Sequence, residues 1–308
     1  MAPVVISASR STDLPAFYTD WFFHRLNKGY CAWINPFNRK KYFVSFAHTR
    51  HVVFWSKNPR PLLNRLPELK DRGISCTLQF TLNDYTEEGL EPHLPNLDSR
   101  IKNFLNFSEL LGPKRVVWRF DPLLLAQNID EKKLLEKLRN IGNALRGYTN
   151  KLVFSFADIS NYRCVQRHLH SANVAYREWD RQSMISFATQ LVHLQKSEGW
   201  DFVLATCGEG IDLESLGIVH NKCINFPSAT SLQPLTDISP ESCHSPSPQI
   251  RDHGQRQNCR CIPSKDIGQY DTCQHFCTYC YAISNRMNVM HNLQQHQLNP
   301  FAETIGGL

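Results

Sequence analysis

The sequence predicts an α/β fold on a parallel sheet, either closed as a (β/α) barrel or left open and doubly wound. Short runs rich in β-branched and aromatic residues alternate with segments of helical periodicity, and strand-helix alternation is the signature of parallel pairing. Its 308 residues suit one large α/β domain. In either form the chemistry is expected at the C-terminal ends of the strands.

The first strand is read at VVISAS from Val4, followed by SRSTDLPAFY, where Thr12 or Asp13 can cap the next helix. VVFWSK from Val52 and ISCTLQFT from Ile74 come next, and apolar spacing predicts a helix over 101–111. RVVWRFD from Arg115 precedes a helix over 131–145, KLVFSFAD from Lys151 precedes a long helix over 177–198, and DFVLATC from Asp201 closes the series. Ser, Pro, Gln and His then dominate (SPESCHSPSPQ), which reads as a linker over 227–257 holding Cys243 and His244. The expected organisation is a main α/β part over 1–226, that linker, and a cysteine-rich segment over 258–308 that completes the sheet.

Hydrophobic residues at 42% and charged residues at 20% exclude a disordered chain. No apolar run is long enough to span a bilayer, and MAPVVISASR lacks a secretory pattern, so no membrane and a cytoplasmic address are expected. A net charge of +6, spread along the chain, permits a nucleic-acid partner without pointing to one. The 11 cysteines are the unusual feature, because clustered thiols in a reducing compartment serve metals or catalysis more often than disulfides.

Cys273, Cys277 and Cys280 form C-x3-C-x2-C. That spacing lets one loop hold three corners of a [4Fe-4S] cube and leaves the fourth iron open to an amino-carboxylate ligand such as S-adenosylmethionine (SAM). A zinc site is the competing reading, although structural zinc usually takes two paired clips and four ligands. Tyr279 adds an aromatic face on which an adenine could rest. A second group, Cys207, Cys223, Cys259 and Cys261, supplies four thiols for zinc or a second [4Fe-4S] cluster, provided the last strand lies beside the Asp201 strand. Plain burial competes with this reading for Cys207 and Cys223, and is the expectation for Cys31, Cys76 and Cys164. Polar residues at predicted strand ends are the pocket candidates: Arg10, Thr12, Asp13, Lys57, Asn58, Gln79, Arg119 and Asp121. The last two could instead form a buried ion pair. Gly208, Glu209 and Gly210 read as a turn.

DTCQHFCTYCYA resembles the cluster loop of radical SAM enzymes, and its flavour is similar to the spore photoproduct lyase branch. LQFTLNDYTEEGLEPHLPNLDSRIKNFLNF with RVVWRFDPLLL, FWSKNP and SRSTDLPAFY resemble other segments of that branch. The cluster loop there follows the first barrel strand, whereas here it comes last. The resemblance therefore implies a radical SAM-type barrel, partial or full, circularly permuted so that its cluster-bearing strand is C-terminal. The order of S-R-x-T-D-x-P-A-F-Y and D-I-G-x-Y-x-x-C is also similar to an uncharacterised domain-of-unknown-function family.

The resemblance implies that the strand-end residues bind SAM, and that Arg10, Lys57 and Arg119 face the triplet. It implies an enzyme that cleaves SAM reductively and abstracts hydrogen from a substrate, with a ferredoxin or flavodoxin as electron donor. A nucleobase or nucleic acid would be the substrate if the lyase likeness extends that far. The alternative is a zinc-stabilised nucleic-acid-binding protein with structural cysteine sites.

Overall fold

Eight parallel strands build the main sheet, in the order β11-β10-β8-β6-β5-β4-β1-β12. They are β1 (Val5–Ala8), β4 (His51–Ser56), β5 (Ser75–Thr81), β6 (Val116–Leu123), β8 (Lys151–Phe156), β10 (Val203–Thr206), β11 (Val219–His220) and β12 (Lys265–Asp266). The structure is a computed structural model that describes residues 1–225 and 258–307. The expected linker over 227–257, with Cys243 and His244, lies outside the described residues.

Helices α1 (Leu14–Phe17), α2 (Thr19–Lys28), α3 (Leu66–Asp71), α4 (Leu97–Leu111), α5 (Glu131–Ala144), α6 (Arg163–Ser171) and α7 (Arg181–Ser197) separate the strands, and α8 (Arg286–Leu298) follows the cysteine triplet. Two small antiparallel pairs, β2 (Tyr30–Ile34) with β3 (Lys41–Ser45) and β7 (Leu125–Ala126) with β9 (Tyr176–Arg177), lie outside the main sheet. The helix expected over 177–198 thus begins four residues later, where Asp180 caps Ser183 and closes a capping box. Among the described residues no helix is long and apolar enough to cross a membrane.

The two-residue period of the strands sorts the sheet into two unlike faces. Ile6, Phe54, Leu78, Phe80, Trp118, Phe120, Leu152, Phe154 and Leu204 share one face and belong to the large core packed with the helices. The other face carries Ser7, Trp55, Gln79, Arg119 and Ser155 by the same registers. It holds only a small apolar cluster, in which Val5, Val53 and Ile224 meet Trp55, Cys261 and Ile262. Among the described residues the polar groups on this second face bond largely to one another, as Arg119 does to Gln79 and Trp55 to Ser7.

β12 joins the sheet beside β1, with Ile6 opposite Lys265 and Ser7 opposite Asp266. It therefore lies at the edge opposite β10 and β11, not beside the Asp201 strand. Among the described residues no ladder joins the two edges. One backbone bond, Ile262 N to Ile224 O at 3.1 Å, links the segments that flank them.

Asp266 fixes β12 in place. Its carboxylate accepts hydrogen bonds from Ser7 Oγ (2.8 Å), Ser9 Oγ (2.6 Å), Arg10 N (2.9 Å) and Gly268 N (2.9 Å). Gly268 is required by close approach, since a Cβ there would lie 1.8 Å from Ser9 Oγ. The D-I-G motif is thus the joint between the C-terminal segment and the first strand.

Candidate metal centre

The loop 273–280 hangs from the end of β12 and is clamped by the ends of β1, β4 and β5. Thr278 N donates to Leu90 O at 3.0 Å, and the turn closes with Cys280 N to Cys277 O at 3.0 Å. Phe276 adopts a positive φ of 52°, which turns the chain between its first two cysteines.

Asp13 holds one side of the loop. It caps α1 through Ala16 N (3.0 Å) and accepts from Ser56 Oγ (2.6 Å) and Lys57 N (2.7 Å) at the end of β4. His275 Nε2 completes the set at 2.8 Å. Burial works against the Asp13 charge, but the hydrogen bond and charge of His275, with the Ser56 and Lys57 donors, hold the carboxyl below its ordinary value. The capping role is seen here, and the same side chain also ties three segments to the loop.

Tyr279 holds the other side. Its hydroxyl donates to Glu91 Oε1 and accepts from Lys57 Nζ (2.9 Å) and Asn83 Nδ2 (3.0 Å). Its ring meets Tyr85 edge to face at 5.8 Å and is 9% exposed. Tyr279, read as an aromatic face on which an adenine could rest, is buried and anchors the loop through its hydroxyl.

Glu91 is fully buried, paired with Lys57 Nζ at 2.8 Å and facing Arg100 Nη1 at 3.7 Å. Burial would raise its carboxyl, yet the charges of Lys57 and Arg100 and the hydrogen bonds from Lys57 and Tyr279 hold it below the usual range. Burial likewise opposes the Lys57 charge, and Glu91 and Cys277 raise it above its ordinary value. Two cations thus face one carboxylate beside the cysteine loop, a surplus that anionic ligation would balance.

Cys277 is buried and Cys273 and Cys280 are partly buried in the loop. Burial pushes all three up, Cys280 to about 12. The backbone amides of Asp13 and His275 offset part of the burial effect at Cys273, and those of Ala282 and Ile283 part of it at Cys280. Such donors stabilise thiolate ligands of a cluster. Buried polar atoms lie alongside: Thr12 Oγ1, Asn58 Oδ1 and His275 Nδ1 have no hydrogen-bond partner among the described residues. The loop's donor set and these orphaned atoms fit a three-thiolate cluster with an added polar ligand. Among the described residues no three His, Cys, Asp or Glu side chains are already gathered around one ion.

Of the other strand-end residues, only Lys57 faces the triplet with its charge. Arg119 lies on the second face of the sheet, over the Trp55 ring at 5.0 Å. It pairs with Asp121 and donates from Nη1 to Gln79 Oε1 and to Cys223 Sγ, both at 3.2 Å. Gln79 Nε2 in turn donates to Cys223 O at 3.1 Å. Arg10 meets Asp266 at 3.7 Å, and its charge is felt by Cys259 and Cys261. The contacts that hold Arg10 and Arg119 thus lie away from the triplet: Arg119 bonds to Cys223, and Arg10 is held by Asp266. The reason is strand parity, since Arg119 shares its face with Gln79 and with Cys207 at the end of β10.

Asp121 also accepts from Ser155 Oγ, and its backbone N donates to Asn83 Oδ1 at 2.9 Å. Asn83 thus bridges the Arg119 network to Tyr279. Glu209 accepts from Phe156 N at 3.0 Å next to Gly208 (φ 68°), which makes Gly208 to Gly210 a turn, as read. Cys31 and Cys76 are core residues, and Cys164 is partly buried against the core. Two surface clefts, one at Arg181 and Ile185 and one between Trp21, His296 and Phe301, are lined by none of these site residues.

Residues 5–282 match the family model described as "Domain of unknown function (DUF1848)". No curated protein and no solved structure matches the chain.

Proposed function

The chain belongs to the DUF1848 family, and on that premise we propose that it is a radical SAM enzyme whose [4Fe-4S] cluster is held by Cys273, Cys277 and Cys280. The observation that carries the reading is the clamped loop itself. Three cysteines in C-x3-C-x2-C are fixed at strand ends by Asp13–His275 on one side and Tyr279–Glu91–Lys57 on the other. When bound, a cluster with one open iron supplies the electron that cleaves SAM reductively, the entry to hydrogen abstraction from a substrate.

The chain's own residues have separable tasks in this reading. Lys57 and Arg100 place positive charge behind the thiolates, and Glu91 fixes both. Asp13 and His275 set the height of the loop over β4. Thr12 and Asn58 offer unpartnered oxygens to the polar end of SAM. The arrangement is a permuted partial barrel in which β12 takes the place of the first strand, consistent with its parallel pairing to β1.

Anaerobically reconstituted protein, reduced with dithionite and given SAM, is expected to form 5′-deoxyadenosine, and Cys277→Ala to form none. A fully loaded cluster that leaves SAM intact would overturn the reading. A low-potential ferredoxin or flavodoxin is the expected physiological donor.

A further inference from the structure

The second thiol group lies where, among the described residues, no ladder joins the two edges of the sheet. Cys207 ends β10 at one edge and Cys223 follows β11, whereas Cys259 and Cys261 precede β12 at the other edge. Two contacts bring the thiols of the two edges near one another: Cys207 Sγ is 3.3 Å from Cys223 Sγ, and Cys261 Sγ takes the N–H of Ile224, the residue after Cys223, at 3.3 Å. Donors point at them from within the fold. Arg119 Nη1 and Asn221 Nδ2 each lie 3.2 Å from Cys223 Sγ, and Ile224 N lies 3.3 Å from Cys261 Sγ.

Apolar packing accounts for only part of this gathering, since Cys261 meets the Val5, Val53 and Ile224 cluster while Arg119, 2% exposed and paired with Asp121, also turns Nη1 to Cys223 Sγ. The described cysteines are all free thiols, so no disulfide accounts for the contact either.

We propose that Cys207, Cys223, Cys259 and Cys261 bind one divalent ion of the zinc class, a four-thiolate staple between the two edges of the sheet. Spacing selects a single ion over a cube. Tetrahedral ligands about 2.3 Å from zinc stand about 3.8 Å apart, near the Cys207–Cys223 separation, whereas cube corners hold their thiolates farther from one another. Cys207 and Cys223 are already in contact and Cys261 is tied to Ile224, so binding draws Cys259 and Cys261 in to complete the shell and brings the edges together. The Arg119 and Ile224 donors to sulfur are the orienting contacts that such thiolates require.

The test uses the full chain carrying Cys273→Ala, Cys277→Ala and Cys280→Ala, so that its outcome is independent of the cluster proposed above. Elemental analysis is expected to find a single zinc per chain, and cobalt(II) titration to give the absorption of a tetrahedral four-thiolate site. Adding Cys259→Ser and Cys261→Ser should reduce zinc to a trace. Metal-free protein, zinc kept after the two serine changes, a cobalt spectrum of fewer than four thiolates, a Cys207–Cys223 disulfide, or iron and sulfide in this variant would each overturn the proposal. The cobalt spectrum counts thiolates in the chain that retains them, so misfolding of the serine variant does not decide the outcome.

Discussion

Asp13 and His275, 262 residues apart in the chain, meet at 2.8 Å and join the loop after the first strand to the loop that carries the three cysteines. The contact is buried on both sides. Because Asp13 also receives the Ser56 hydroxyl and the Lys57 and Ala16 amides, one carboxylate sets the position of three segments at once.

Asp13→Asn is expected to destabilise the chain by about 3 kcal/mol, within the range for breaking a buried pair. The pH dependence follows from the lowered carboxyl. A group ionised more easily when folded contributes stability fully above its unfolded value near 3.8, and that stability is lost as pH falls toward the folded value. Urea midpoints between neutral and acid pH should therefore fall more steeply for the native sequence than for the variant. Parallel curves would contradict the assignment.

Tyr279→Phe removes the hydroxyl that joins Lys57, Asn83 and Glu91. A loss of roughly 1–3 kcal/mol is expected from the unsatisfied partners. Iron retained after reconstitution should drop with it, because the loop loses its inner anchor. An open adenine shelf would instead predict unchanged stability and a weaker SAM affinity in equilibrium binding.

Glu91→Gln leaves Lys57 and Arg100 facing each other without their carboxylate. The expected cost is about 3–5 kcal/mol, and Lys57→Met in the same chain should recover part of it. Thermal unfolding of both variants measures the difference, and a double variant no more stable than the single one would contradict the charge argument.

Gly268→Ala places a methyl 1.8 Å from Ser9 Oγ and 2.5 Å from Ser9 Cβ. Overpacking of about 1–3 kcal/mol is expected, together with displacement of β12 from β1. Ser9→Gly should relieve most of it in the double variant, leaving Ser11 Oγ, 2.6 Å from the added methyl, to shift. Hydrogen exchange at Ile267, whose N–H bonds to Ser7 O at 3.1 Å, reports whether that strand pairing loosens.

Much of the sheet was legible from residue type. The runs at Val4, Val52, Ile74, Arg115, Lys151 and Asp201 all became parallel strands, because β-branched and aromatic runs bounded by helices bury on both faces. The β2–β3 hairpin was not legible, since its strands are short, half exposed and interrupted by NPFNRKK. The triplet was read from spacing alone, but its supports were not. Asn83 falls among the strand-end polar residues, and Glu91 and Arg100 within the segment that carries the resemblance, but the bonds of Asn83 to Tyr279 and of Glu91 to Tyr279 and Lys57 are not marked by local pattern because those partners lie far along the chain. Arg10 and Arg119 were expected at the triplet because strand ends converge. Side-chain parity sends Arg119 to the second thiol group instead, a choice that requires the register of neighbouring strands. The second thiol group is expected from β12 lying beside the Asp201 strand, whereas β12 pairs with β1 at the opposite edge, and only the contacts of Ile224 with Cys261 and Ile262 link the two segments.

The central claim is tested most directly by electron paramagnetic resonance of the reduced, anaerobically reconstituted chain, with and without SAM. A three-cysteine cluster with an open iron predicts a [4Fe-4S]+ signal whose g values move when SAM is added, and which is absent from the chain bearing Cys273→Ala, Cys277→Ala and Cys280→Ala. A signal indifferent to SAM, or one that survives loss of all three cysteines, would contradict the account.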